Sequence, residues 1–513
     1  MYMGVCATCA AAVLLVSFAT NVVGAPVGAA VGAALAIGAP IQSTSIPSER
    51  KAARVAVLPI TGAIDEVTLW SVDRRLRAVS EGNYDAVVFE IDTPGGEVVA
   101  MLDICLHIKS DAPGNTVAWI KPKAYSAGTF IALIATLAPA QSTIRIGAPL
   151  ALSGGLADEG KKQAAAYDLW LERVNAAGGI NVGGTKMKVE LVTYDYQTDE
   201  KRAQQIAERL INVDKVNFMT APFGSGHAKV VAGVAERYGV PIIAVASSEA
   251  VHNQGFKYLF GTLSPSMGLI DSMTTLFKEK FPAAKRIAIL SRDDVFPKSF
   301  AASLKAQGPK NGFEVVYEAF YPVGTLDHSA SLTSLKAAKA DWIFVTGYTK
   351  DLVLVRKQMA DQKIDAPIVT MVTGPAYQEF ADSLGPLAEN VTSATWWVQT
   401  ANYKGDDVFG TTQAFADAVR KKTGQDPDYV YASSAAAMIA FQKAIEKAGT
   451  LDRDKVRQAL TELDIKTFFG PIKFRADGMN SDRFLPLIQI QGGKPVVLFP
   501  NDLKQADLKK FGP

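Results

Sequence analysis

Past residue 53 the chain alternates short, almost wholly apolar runs with longer stretches whose apolar residues recur every three or four positions. The first pattern suits a strand buried on both faces and the second an amphipathic helix, so their alternation predicts βαβ units. VAVLPIT, AVVFEID and TVAWI read as strands separated by helices over Glu66–Glu81 and Val98–Ser110, and a third apolar helix follows Ser126. A new series opens with strand IRIGAPLAL, a loop over Ser153–Gly160, helix Lys161–Ala176, the turn-rich AAGGINVGG, strand KVELVTYDYQ and helix Thr198–Leu210. Its centre is FMTAPFGSGHAKVVAGVAERYGVPIIAVASS: a strand ending at Thr220, a loop over Ala221–His227, a helix over Ala228–Tyr238 stopped by Gly239, and a strand over Val240–Val245. Past Pro265 a similar series repeats, with strands RIAILS, FEVVYEAF, WIFVTG and PIVTM between helices Met267–Phe281, Lys298–Gln307, Leu332–Lys339 and Lys350–Asp361. Two such series in succession predict two doubly wound parallel-sheet lobes with a cleft between them.

Length adds a third part. At 513 residues the chain exceeds one ordinary core. Residues 1–48 stand apart: from Val5 to Ala39 no charge occurs, Val13–Phe18 is the densest apolar stretch, and Arg50, Lys51 and Arg54 follow. That composition suits a signal peptide or a membrane anchor. With 53 basic and 51 acidic residues the net charge is +2, which gives no electrostatic basis for binding nucleic acid. Three cysteines form no disulfide framework, and the four histidines show no metal-ligand spacing, so neither a metal nor a cofactor is expected.

Chemistry concentrates in the loops at the carboxyl ends of the predicted strands, where open α/β sheets bind ligands. The loop that carries Ser225 is followed by a helix whose free N–H groups favour an anion. With Ser247 and Ser248 in the neighbouring loop, three hydroxyls stand ready to cradle a carboxylate or phosphate without a charged side chain. Phe223, Phe296, Tyr348, Trp396 and Trp397 are candidate aromatic walls.

The segment 54–143 carries Asp92-Thr93-Pro94-Gly95-Gly96 and Ala124-Tyr125-Ser126-Ala127-Gly128. These motifs resemble the Clp/crotonase fold, and more closely the membrane-bound serine proteases of the NfeD and signal-peptide-peptidase type. The resemblance implies Ser126 as nucleophile and the Gly95 and Gly96 backbone as oxyanion loop. A serine nucleophile also needs a base. No histidine falls between His107 and His227 and no lysine between Lys123 and Lys161. The segment therefore reads as truncated before its base, and a membrane-anchored peptidase using Ser126 is the alternative function.

From Arg145 to about Pro500, the opening IGAPLALSGGLADEG, the AAGGINVGG connector, YDYQTDEKRAQQIAERLI, TGY and GPIKFRADGMN together resemble the type I periplasmic binding proteins of ABC importers, in the branched-chain amino-acid (leucine/isoleucine/valine-binding) family. The resemblance implies lobes of about 145–262 with 400–470, and 266–393 with 475–500, joined by crossings near 261–266, 393–401 and 470–478. It places ligand contacts on Ser225, Gly226 and His227, on Ala246, Ser247 and Ser248, and on Phe296 and Tyr348. The family's ammonium-binding glutamate falls near Thr373, where no acid stands. The expected function is extracytoplasmic capture of an amino acid or a small, possibly aromatic, carboxylate for an ABC permease. Without an acid near Thr373, either Asp293 or Asp294 replaces the glutamate or the ligand has no ammonium.

Overall fold

A computed structural model describes residue 52 and residues 54–511, apart from 83, 85, 113–114, 138–142 and 482–484. The leader expected over residues 1–48 lies outside the described residues. No described helix is long and apolar enough to cross a membrane. The chain divides after Ser142 into two compact units.

The first unit is a three-stranded parallel sheet, β1 (Val55–Thr61), β2 (Ala86–Thr93) and β3 (Thr116–Ala124), in that spatial order. Helices Glu66–Glu81, Val98–Asp111 and Ala127–Leu137 connect and follow the strands. Phe89 and Ile91 of the central strand are fully buried with Leu76, Ile104 and Ile131 from the helices, so one small core holds the unit together. Its edges stay apolar, with Val57, Trp70, Val99 and Trp119 exposed.

The second unit carries two sheets. The first runs β5-β6-β4-β7-β8-β9, with β4 (Thr143–Leu150), β5 (Ile180–Val182), β6 (Thr185–Asp195), β7 (Phe218–Thr220), β8 (Ile242–Ala244) and β9 (Leu259–Gly261). All pairs are parallel except the short β5–β6 hairpin. The second sheet is built from β10 (Arg286–Arg292), β11 (Glu314–Tyr321), β12 (Trp342–Thr346), β13 (Ile368–Val372) and β14 (Thr392–Ala394). After a hairpin of β15 (Asp464–Thr467) and β16 (Gly470–Lys473), strands β17 (Leu487–Gln491) and β18 (Lys494–Phe499) add an antiparallel edge to the second sheet. That edge departs from the purely parallel sheet that the sequence pattern implies.

The chain passes between the lobes after β9, after β14 and after β16, and these strands of backbone are tied to one another. Gly261 N–H donates to Gly478 O at 2.9 Å, Asn480 Nδ2 to Thr262 O at 3.0 Å, and Trp396 Nε1 to Ser264 O at 3.0 Å. Three linked crossings permit lobe rotation while resisting separation.

Candidate functional site

The loops after β4, β7, β8, β10 and β12 converge where the two sheets present their carboxyl ends. They border a narrow cavity lined by Phe223, Gly224, Ser225, Val245, Ala246, Ser247, Leu263, Phe296, Tyr348 and Tyr429. Every lining side chain is uncharged. The helix Ser225–Arg237 starts three residues earlier than the periodicity predicts, so Ser225, Gly226 and His227 form its first turn. Ala228 N–H is the first to bond within the helix, to Gly224 O, which leaves three preceding N–H groups free for an anion. Gly224 sits at φ 92°, and a Cβ there would press on Leu156 and on the Tyr348 hydroxyl at 3.2 Å. Only glycine lets that loop turn while the opposite lobe lies against it.

The hydroxyls of Ser225, Ser247 and Ser248 are all buried, and none has a hydrogen-bond partner among the described residues. Buried hydroxyls are ordinarily paired. Of the three, Ser225 and Ser247 line the cavity at the start of the helix Ser225–Arg237, and Ser248 is the next residue in the second loop. Aromatic side chains supply the rest of the wall: Phe296 stacks on Tyr348 with centroids 5.6 Å apart, and Phe223 meets Tyr348 edge-on at 6.1 Å. Arg292 lies 5.0 Å over the Tyr348 ring, but its charge is spent on Asp351 at 2.9 Å and Asp294 at 3.5 Å.

Several sequence-derived candidates lie elsewhere. His227 turns its ring away from the cavity onto Tyr196 and the Thr198 carbonyl. Thr373 is buried at φ 71°, donates its backbone N–H to Ser393 Oγ at 2.9 Å, and does not line the cavity. Asp293 is exposed and paired with Lys298, while Asp294 caps the helix Val295–Gln307, so neither aspartate is free to meet an ammonium. Trp396 and Trp397 belong to the core, packed against Tyr429 and Phe415 respectively.

A group the sequence reading passed over is Glu159. Helix Ala157–Ala176 begins four residues before the expected Lys161, which carries Glu159 into its first turn, buried at the cleft. Gly160 suggests a loop but serves packing, since a Cβ there would lie 2.0 Å from Ala151 O. Burial pushes the Glu159 carboxyl up to about 7, and its one side-chain hydrogen bond is a long one, 3.4 Å from Thr349 Oγ1 across the cleft. Beside it Lys162 pairs with Asp428 at 2.7 Å and, across the cleft, with Glu379 at 2.8 Å. Burial works against the Lys162 ammonium, yet Asp428 and Glu379 hold it above its ordinary value, while burial raises the Asp428 carboxyl.

In the first unit, Ser126 stands exposed at φ 49° just before the helix Ala127–Leu137. Among the described residues no imidazole or amine is hydrogen-bonded to its Oγ. Gly95 N–H is already taken by Thr93 Oγ1 at 3.0 Å. Asp73, His107 and Asp111 have ligand atoms within 4.8 Å of one another, a cluster invisible to spacing because Asp73 comes from another helix.

Residues 143–494 match the family model described as "Periplasmic binding protein", and the chain belongs to that family. Residues 54–230 also match the model for the N-terminal domain of NfeD1b. A Leu/Ile/Val-binding protein homolog of Brucella abortus is 28% identical over 387 residues, covering 72% of this chain and 94% of the relative. The branched-chain amino-acid transporter substrate-binding protein of Streptococcus pneumoniae, solved with isoleucine, superposes with TM-score 0.61 at 23% identity over 72% of this chain and 99% of its own. A solute-binding protein of an ABC transporter from Rhodopseudomonas palustris, solved with benzoate, gives TM-score 0.60 at 17% identity over 69% and 95%.

Proposed function

We propose that residues 143–513 are the extracytoplasmic solute-binding component of an ABC importer, and that the lobes close on a small organic acid and present it to the permease. The observation that carries this reading is the pair of buried, unpartnered hydroxyls at Ser225 and Ser247, which line a narrow cavity without a charged wall at a helix N-terminus, with a third such hydroxyl on the adjacent Ser248. A carboxylate meets those donors at little desolvation cost. A second reading, an α-amino acid, is favoured by Glu159, a carboxyl buried near the cavity that, among the described residues, forms no ion pair of its own. Calorimetry on the full chain with matched acids, each with and without an α-amino group, tests the choice. Tighter binding of the amine-free member supports the simple acid. Tighter binding of the amino acid, lost in Glu159→Gln, supports the second reading, and no binding by either member of any pair overturns both.

A further inference from the structure

The hydroxyls of Tyr377 and Tyr429 meet at 2.7 Å, and both rings are buried. Two hydroxyls carry two protons, and their mutual bond uses one. Among the described residues neither oxygen makes another hydrogen bond, so one O–H is left without an acceptor inside the protein. Tyr429 lines the cavity and Tyr377 does not, so the unspent donor has its outlet on the Tyr429 side. A buried hydroxyl proton with nothing to receive it is costly, and the cavity is the space in which an acceptor can stand.

We propose that the ligand carries, besides its carboxylate, an uncharged hydrogen-bond acceptor, a hydroxyl or carbonyl oxygen, and that the Tyr429 hydroxyl reads it. This rests on the carboxylate reading above and narrows it to hydroxy or oxo acids. An ammonium cannot accept a proton. A second carboxylate would bring another negative charge toward Asp428 and Glu159, whose fields reach Tyr429, and would be buried without a cation. A purely apolar body would leave the donor unsatisfied. A neutral oxygen on an aromatic or aliphatic frame answers all three constraints, and Tyr377, by occupying the Tyr429 oxygen, turns that residue's own proton outward as a positioning residue.

The test is calorimetry on the full chain with matched probes: benzoate against 3- and 4-hydroxybenzoate, and pentanoate against 4-oxopentanoate. The expected result is that the acceptor-bearing member of at least one set binds about tenfold tighter or better. Tyr429→Phe should remove that preference without weakening the plain acid, and Tyr377→Phe should keep its sign. Equal binding of plain and acceptor-bearing acids, or a preference that survives in Tyr429→Phe, overturns the inference. The carboxylate reading is checked separately, because Ser225→Ala and Ser247→Ala should weaken every acid in the panel alike. If both leave binding unchanged, that reading falls with the inference built on it, whereas equal binding of the matched acids removes the inference alone.

Discussion

Ser126 in the first unit and Ser225 in the second occupy a similar local setting: a parallel strand, a short connection, then a serine at the start of a helix. Both have hydroxyls without a partner, and the resemblance ends there. Ser126 faces solvent, which supplies hydrogen bonds at no cost, and among the described residues no base is hydrogen-bonded to it. Ser225 is 1% exposed, and two further serines share its isolation. A helix N-terminus with a serine is therefore a template, and its chemistry comes from what the rest of the fold brings to it: a narrow, uncharged cavity lined from both lobes in one case and open water in the other.

The contrast rests first on the second unit's cleft being held by buried charge. Lys162 is the ammonium between Asp428 and Glu379. Lys162→Met should cost about 3–5 kcal/mol in urea unfolding, because Asp428 would be left buried and uncompensated. Glu379→Gln, on the more exposed arm, should cost under about 1 kcal/mol. Equal effects from both changes would show that the cleft wall is held by something other than the Lys162–Asp428 pair.

The next effect comes from Glu159. Its folded pKa of about 7 lies above the ordinary 4.5 because burial disfavours the charged form. The folded state thus binds a proton that the unfolded state releases, and stability contributed by this group is complete below pH 4.5 and declines as pH rises toward 7. Glu159→Gln should flatten that slope, with a difference on the order of 3 kcal/mol developing between pH 4.5 and 7. Parallel pH profiles for the two proteins would mean that the carboxyl is solvated after all.

Much of this was legible in the chain. The βα alternation specified the sheets, because buried parallel strands read as continuous apolar runs such as WIFVT and IVTMV. The serine loops at Ser225 and Ser247 were legible for the same reason, as breaks at strand ends. Glu159 was not, since Gly160 and its small neighbours look like a loop when they are a helix pressed against Ala151. Nor was the Lys162–Asp428 pair, whose partners lie 266 residues apart and follow no period. Near Thr373 the sequence shows no acid, and among the described residues the buried acid beside the cavity with only a weak partner, Glu159, comes from the other lobe.

A smaller effect separates the two serines directly. Ser225→Ala and Ser247→Ala should each weaken binding of a bound carboxylate by about 1–3 kcal/mol. Thermal unfolding without ligand should barely change, since each hydroxyl gives up no bond. A loss of stability comparable to the loss of affinity would mean that the hydroxyls serve the fold and leave the ligand to other groups.

The smallest expected effect is at Ser126, and it decides whether that residue is a working nucleophile. A non-glycine residue at φ 49° carries strain of about 1 kcal/mol, which enzymes retain where the geometry exposes a reactive side chain. Here the supporting groups are missing: among the described residues no base is hydrogen-bonded to Oγ, and Gly95 N–H is bound to Thr93 Oγ1 and so withheld from an oxyanion. Ser126→Gly should be neutral or stabilising by up to about 1 kcal/mol, because glycine relaxes the turn while adding freedom to the unfolded chain. The unaltered protein should show no covalent labelling by a fluorophosphonate, since an unactivated serine hydroxyl at neutral pH is a weak nucleophile. Stoichiometric labelling that disappears in Ser126→Gly would reverse the comparison, making the exposed serine the reactive one and requiring a base brought to it by a rearrangement of the loop around Gly95.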